Sequence, residues 1–117
     1  MKSKIVTLSI ILLACTVSAE TITAYCACRK CCGQSAAGIT ASGTRPVEGR
    51  TVAASRSIPL GTRIYIEGLG WRTVEDRTAK RFDGRVDVYF RSHAEALKFG
   101  KRKLQMTIQR INNETKQ

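Results

Sequence analysis

Between residues 21 and 109 the apolar side chains come in short runs at every second position, repeatedly interrupted by glycine and proline. A period of two belongs to half-buried strands, and interruptions this frequent leave no room for long helices. Residues 21–25 alternate, residues 51–54 form a short apolar run, and residues 58–62 (Ile-Pro-Leu-Gly-Thr) make a turn into a strand at 63–67. Gly68-Leu69-Gly70 joins that strand to the next, at 71–76, as a hairpin. Two more alternating runs occupy 85–90 and 104–109, and between them Ser92 offers an N-cap and Gly100 a stop for a short helix ending at Phe99. Residues 33–49, with four glycines and Pro46, read as an extended loop. Six short strands and one helix, with no internal repeat, predict a mainly all-β fold: a small closed six-stranded barrel.

The first twenty residues stand apart. Lys2 and Lys4 precede an apolar run from Ile5 to Ala14, and Val17-Ser18-Ala19 supplies the small residues of a cleavage site. Residues 1–19 are therefore expected to be a secretory signal peptide, cut after Ala19. The run is about ten residues long, short of the roughly 20 that span a bilayer. Leu12-Leu13-Ala14-Cys15 also resembles a lipoprotein signal, in which a lipidated Cys15 becomes the first residue and anchors the chain to a membrane. On both readings the working domain, residues 20–117 after a cut at Ala19, is secreted or sits in the cell envelope, in the periplasm or the wall. Its length suits one domain, expected to be monomeric.

Lysine and arginine outnumber acids 20 to 9, a net charge of +11 that falls by two with the loss of Lys2 and Lys4. That surface favours an anionic partner. Outside the cytoplasm anionic wall polymers fit better than nucleic acid, and no interleaving of aromatic and basic residues marks a base-stacking platform. Lys98, Lys101, Arg102 and Lys103 form the densest basic tract, expected to be solvated.

Cys26, Cys28, Cys31 and Cys32 fall within seven residues. In an exported chain structural disulfides are the expectation, with the pairing open. A zinc site ordinarily draws ligand pairs from two separated segments. No second pair exists, and His93 is the single histidine, expected to serve the helix start. No metal and no cofactor are therefore expected.

Two carboxylates raise the question of chemistry. Asp87 interrupts the run Val86, Val88, Phe90, so it either faces water or is kept for a site. Asp76 either pairs with Arg77 or Arg85 at the surface, a contact worth little, or works with Asp87. Trp71, beside Gly68-Leu69-Gly70, is expected to plug the core rather than stack on a sugar.

In order along the chain stand Thr23-Ala24-Tyr25 followed by cysteines, Gly38-Ile39-Thr40-Ala41-Ser42-Gly43-Thr44, Ile58-Pro59-Leu60-Gly61-Thr62, Asp76, Arg85-Val86-Asp87-Val88-Tyr89, and Ala96-Leu97-Lys98-Phe99-Gly100. This series resembles the three-aspartate (3D) domain, a bacterial cell-wall module related to the catalytic region of membrane-bound lytic transglycosylase A. The resemblance implies a six-stranded double-psi β-barrel that cleaves peptidoglycan glycan strands to 1,6-anhydro products. It implies Asp87 as the catalytic acid and base, with Asp76 tuning it or holding sugar hydroxyls, and Tyr25 and Thr40 as glycan contacts. Two departures are visible: Ala54 and Ser55 occupy the region of the family's first aspartate, and Thr78 and Ala79 replace a glycine pair. The alternative is a non-catalytic wall-polysaccharide binding module on the same barrel, as in expansin-like proteins. A basic, disulfide-stapled antimicrobial or inhibitor explains the charge but not the carboxylate spacing.

Overall fold

The computed structural model of the protein describes residues 15–28 and 38–109. The expected leader up to Ala14, Cys31 and Cys32, and the polar tail lie outside the described residues. Six strands close into a barrel: β1 (Cys15–Tyr25), β2 (Thr51–Ala54), β3 (Arg63–Ile66), β4 (Gly70–Arg77), β5 (Arg85–Tyr89) and β6 (Arg102–Gln109), in the order β1-β5-β2-β4-β3-β6. A short 3-10 turn (Lys80–Phe82) precedes β5, and one helix, α1 (His93–Phe99), follows it. The closed six-stranded barrel with a single short helix matches the expectation, and closure leaves no strand edge unpaired.

Two pairs, β1–β5 and β2–β4, are parallel, and the remaining four are antiparallel. Parallel neighbours require long crossovers, which is why local pattern alone did not order the strands. The hairpin is where it was expected, with Tyr65 opposite Trp71 and Ile66 opposite Gly70. The core is built by alternation: Ile22, Val52, Ala54, Ile64, Ile66, Val74, Val86, Val88 and Met106 fill the barrel, with Phe99 of α1 packed among them. Each fully buried Ile or Val contributes roughly 1.5–3 kcal/mol. Helix α1 begins at Ser92, whose hydroxyl accepts from the Glu95 amide at 3.3 Å, and ends at Gly100 with φ of 65°. A left-handed cap of that kind selects glycine.

One strand departs from expectation. β1 starts at Cys15 rather than Thr21, and its first half pairs with β6 from Cys15 opposite Gln109 to Ile22 opposite Arg102. Small residues near a cleavage site and a polar strand look alike in sequence.

Candidate active site

Four adjacent strands carry the site. Thr23 of β1 is in register with Asp87 of β5, Asp87 with Ala53 of β2, and Ala53 with Asp76 of β4. Since Ile22, Val52, Val86 and Val88 belong to the core, the period of two turns Thr23, Ala53 and Asp87 to the outer side of the wall. Asp87 therefore interrupts its strand without entering the core. It is still sheltered, its side chain retaining 15% of its exposure. Only the methyl group of Ala53, itself 3% exposed, stands between the two aspartates in the row.

Asp87 Oδ1 accepts a hydrogen bond from the Thr23 hydroxyl. Arg85 brings its Nε to 3.4 Å from the same oxygen, but that nitrogen makes no hydrogen bond. Its guanidinium lies 3.6 Å from the centre of the Phe82 ring, and the aromatic face competes for it. The arginine acts on Asp87 through space and incompletely. Burial pushes the Asp87 carboxyl above its ordinary value, Arg85 pulls it down, and the like charge of Asp76 pushes it up again, with a net rise. Replacing Thr23 by the isosteric valine removes a donor to the charged form. Thr23→Val is expected to raise the Asp87 titration midpoint further, read by carboxyl-carbon NMR, with the fold retained. A midpoint that does not move contradicts this role for the hydroxyl.

Asp76 is held differently. Tyr25 Oη donates to its Oδ2 at 3.1 Å, and the amides of Ala41 and Arg77 donate to its Oδ1 at 3.1 and 2.9 Å. The surface ion pair allowed by the sequence does not hold it. Arg77 gives its guanidinium to the carbonyls of Ser55 and Ile58 at 2.7 and 2.5 Å, and Arg85 faces Asp87. Tyr25 also packs edge-on against Tyr89, its register partner.

Between Val74 and Asp76 the strand carries one residue more than β2, because Val52 pairs with Val74 and Ala53 with Asp76. This bulge brings Asp76 into the row beside Ala53 and frees Glu75 to organise the neighbouring loop. Glu75 is 8% exposed and accepts hydrogen bonds from Arg50 at 2.7 Å and from Thr51 and Thr44 at 3.0 Å each. Burial alone would raise its carboxyl, but these bonds and the Arg50 charge hold it below the ordinary value. Its carbonyl accepts the Ser42 amide at 3.0 Å. Thr40 lies in the same loop, 5% exposed, with its hydroxyl 2.9 Å from that of Ser42 and 3.0 Å from that of Thr44. In this structure the Thr40 hydroxyl serves the turn, whose corner is Gly43 with φ of 83°.

Ala53 and Glu75 were not singled out from sequence, and Thr23 stood in the motif series without a role at the site. Thr23 and Ala53 gain their significance only from strand pairing, and the signal for Glu75 is a broken alternation readable only against β2.

Trp71 corrects an expectation. It is 43% exposed rather than a core plug, because β3 sends Ile64 and Ile66 inward and pairs Tyr65 with Trp71 on the outside. The two rings meet edge-on at 5.4 Å, with the Arg63 guanidinium 4.9 Å above the indole. The basic residues Lys98, Lys101, Arg102 and Lys103 are exposed as expected. Cys26 Sγ and Cys28 Sγ are 2.8 Å apart, longer than the roughly 2.05 Å of a disulfide, so no bond joins this pair here.

No family model matches the chain, and a search of the curated proteins finds no match. Among solved structures the chain is similar to the crystal structure of MltA from E. coli, with 20% identity and a TM-score of 0.48. The superposition covers 60% of this chain and 26% of that one, so the chain spans about a quarter of that protein's length.

Proposed function

We propose that the protein is a lytic transglycosylase-like enzyme that cuts peptidoglycan glycan strands between N-acetylmuramic acid and N-acetylglucosamine. The observation that carries this reading is a sheltered carboxyl, Asp87, raised by burial and set across a single alanine from a second carboxylate. An acid catalyst needs a shift in that direction, because it must bring a proton to the substrate. The motif series resembling three-aspartate domains points to the same residue.

The chemistry needs one such group. Asp87 gives its proton to the bridging oxygen, the bond from C1 to that oxygen breaks, and the N-acetylglucosamine end leaves as an alcohol. The muramoyl ring passes through an oxocarbenium-like state. Its own 6-hydroxyl attacks C1, and the proton released returns to the Asp87 carboxylate, which restores the acid. The nucleophile comes from the substrate, so neither water nor a second carboxylate nucleophile takes part. Asp76 adds to the rise of the acid by like charge and, fixed by Tyr25, Ala41 and Arg77, offers an acceptor to sugar hydroxyls. Tyr25 borders this ground as a glycan contact, and Thr40, buried in its turn, shapes the loop beside it.

The test is digestion of purified sacculi followed by mass spectrometry of what is released. Soluble muropeptides with 1,6-anhydro ends are expected. Sacculi that hold the protein and release nothing contradict the enzyme. That outcome would favour a second reading, a polysaccharide-binding module, for which the exposed Trp71–Tyr65 pair is the supporting observation: aromatic faces of this kind stack on sugar rings.

Wall attachment on this reading draws on charge. Binding to sacculi is expected to weaken at least about tenfold between low salt and roughly 0.5 M salt, where screening shortens to a few ångströms. Salt-insensitive binding contradicts an electrostatic attachment. Export leaves a legible mark as well. A cut after Ala19 keeps only the β1–β6 pairs from Glu20 opposite Leu104 to Ile22 opposite Arg102, whereas processing before Cys15 keeps all of β1. The intact mass of the exported protein distinguishes the two.

A further inference from the structure

We propose that Cys26, Cys28 and His93 form a binding site for a thiophilic cation, zinc, which staples the end of β1 to the start of α1. The Nδ1 atom of His93 lies 3.4 Å from Cys26 Sγ and 3.3 Å from Cys28 Sγ, and the three donor atoms fall within 4.8 Å of one another. Cys26 is 2% exposed, and the other two are half-buried. His93 is the chain's single histidine, and it comes from 65 residues beyond Cys28 in sequence.

The fold makes this meeting systematic. β1 and β5 run parallel and in register to Tyr25 and Tyr89, and the Phe90 amide continues the pairing to the Tyr25 carbonyl at 2.8 Å. Both chains thus leave the barrel side by side, one into Cys26 and Cys28, the other into the first turn of α1. A tetrahedral zinc holds sulfur at about 2.3 Å and nitrogen at about 2.0 Å, which spaces sulfur from nitrogen by about 3.5 Å and sulfur from sulfur by about 3.8 Å. Both sulfur–nitrogen distances are close to this. The sulfurs, at 2.8 Å, spread on loading. A disulfide has no use for an imidazole nitrogen almost equidistant from both sulfurs, whereas a shared cation requires it. Sequence spacing argued against a metal because no second ligand pair exists; here the second segment supplies one histidine, and water or a further donor would complete a tetrahedral set.

On binding, the thiols lose their protons to the medium and the cation joins the end of β1 to the start of α1, so metal and fold stability are linked.

The experiment uses the full chain, purified reduced and without oxygen, stripped with a chelator and then given zinc or cobalt(II). One zinc per chain is expected, with a rise in melting temperature on the order of 15 °C. The cobalt form should show thiolate-to-cobalt charge transfer and the visible bands of a tetrahedral site. His93→Ala leaves the Ser92 cap and the buried face of α1 intact. It is expected to fold, to lose the imidazole from the X-ray absorption spectrum, and to weaken zinc by at least about tenfold. The Cys26→Ser, Cys28→Ser double variant should lose both the metal and the thermal gain. Absence of stoichiometric metal overturns the proposal, as does equal zinc binding by the double variant. So does a thiol-trapping result in which the exported protein carries Cys26 and Cys28 in disulfides.

Discussion

Asp87→Asn is expected to abolish release of anhydro-muropeptides, by on the order of a thousandfold, while the melting temperature at neutral pH stays the same or rises. The first half follows from the role of the carboxyl as sole proton donor. The second follows from linkage. Folding raises the Asp87 carboxyl above its unfolded value, chiefly through burial. A group shifted that way supports the fold fully below its unfolded pKa, and the support is lost as pH rises through the folded value. Once pH passes the folded value, the folded protein bears the cost of a sheltered charge that asparagine does not carry. Asparagine also keeps an oxygen for the Thr23 hydroxyl. Activity and stability should move in opposite directions, a relation common where a site is kept at the expense of the fold. A variant that loses activity because it unfolds at lower temperature contradicts this account.

Glu75→Ala is expected to have the largest effect on stability, a loss of about 2–4 kcal/mol, or roughly 10–20 °C in melting temperature for a domain of this size. The half-exposed Arg50 contributes little of this, because water screens its ion pair. Most comes from the fully buried Thr51 hydroxyl, which is left without its acceptor. The sign with pH is opposite to that of Asp87. Hydrogen bonds hold the Glu75 carboxyl below its unfolded value despite burial. Its contribution is therefore present above the unfolded pKa, near 4.3, and is lost as pH falls through the folded value. Thermal melts from neutral to acid should show the wild type approaching Glu75→Ala as the carboxyl protonates. Parallel curves at all pH values contradict the assignment. The same substitution loosens the loop that aims the Ala41 amide at Asp76, so a smaller loss of activity accompanies it.

Much of the barrel was legible because its signals are local. Alternation, with one short apolar run at 51–54, marked five strands closely and the second half of β1, the Gly68–Gly70 turn marked the β3–β4 hairpin, and Ser92 with Gly100 bounded α1. The site was legible only in part. Asp87 stood out as a charge within an apolar run, and the motif series gave it a role. Its partners were not visible, because Thr23 and Ala53 meet it through pairings across 64 and 34 positions, the first of them parallel. Arg85 could not be weighed against burial until Phe82 was seen to hold its guanidinium. Trp71 was misread for a related reason: a glycine-flanked tryptophan suits a plug or an outer wall equally, and only pairing with Tyr65 decides its side. The first half of β1 escaped because Val17-Ser18-Ala19 reads equally well as the small residues of a cleavage site, and its strand character shows only in the pairing with β6.

The most direct measurement is digestion of sacculi in heavy-oxygen water by the wild type and by Asp87→Asn, with mass spectrometry of the released glycan ends. The account predicts unlabelled 1,6-anhydro ends from the wild type, since the ring closes on its own hydroxyl, and none from the variant. Labelled reducing ends would make the enzyme a hydrolase, and equal release by Asp87→Asn would remove Asp87 from the chemistry; either result contradicts the account.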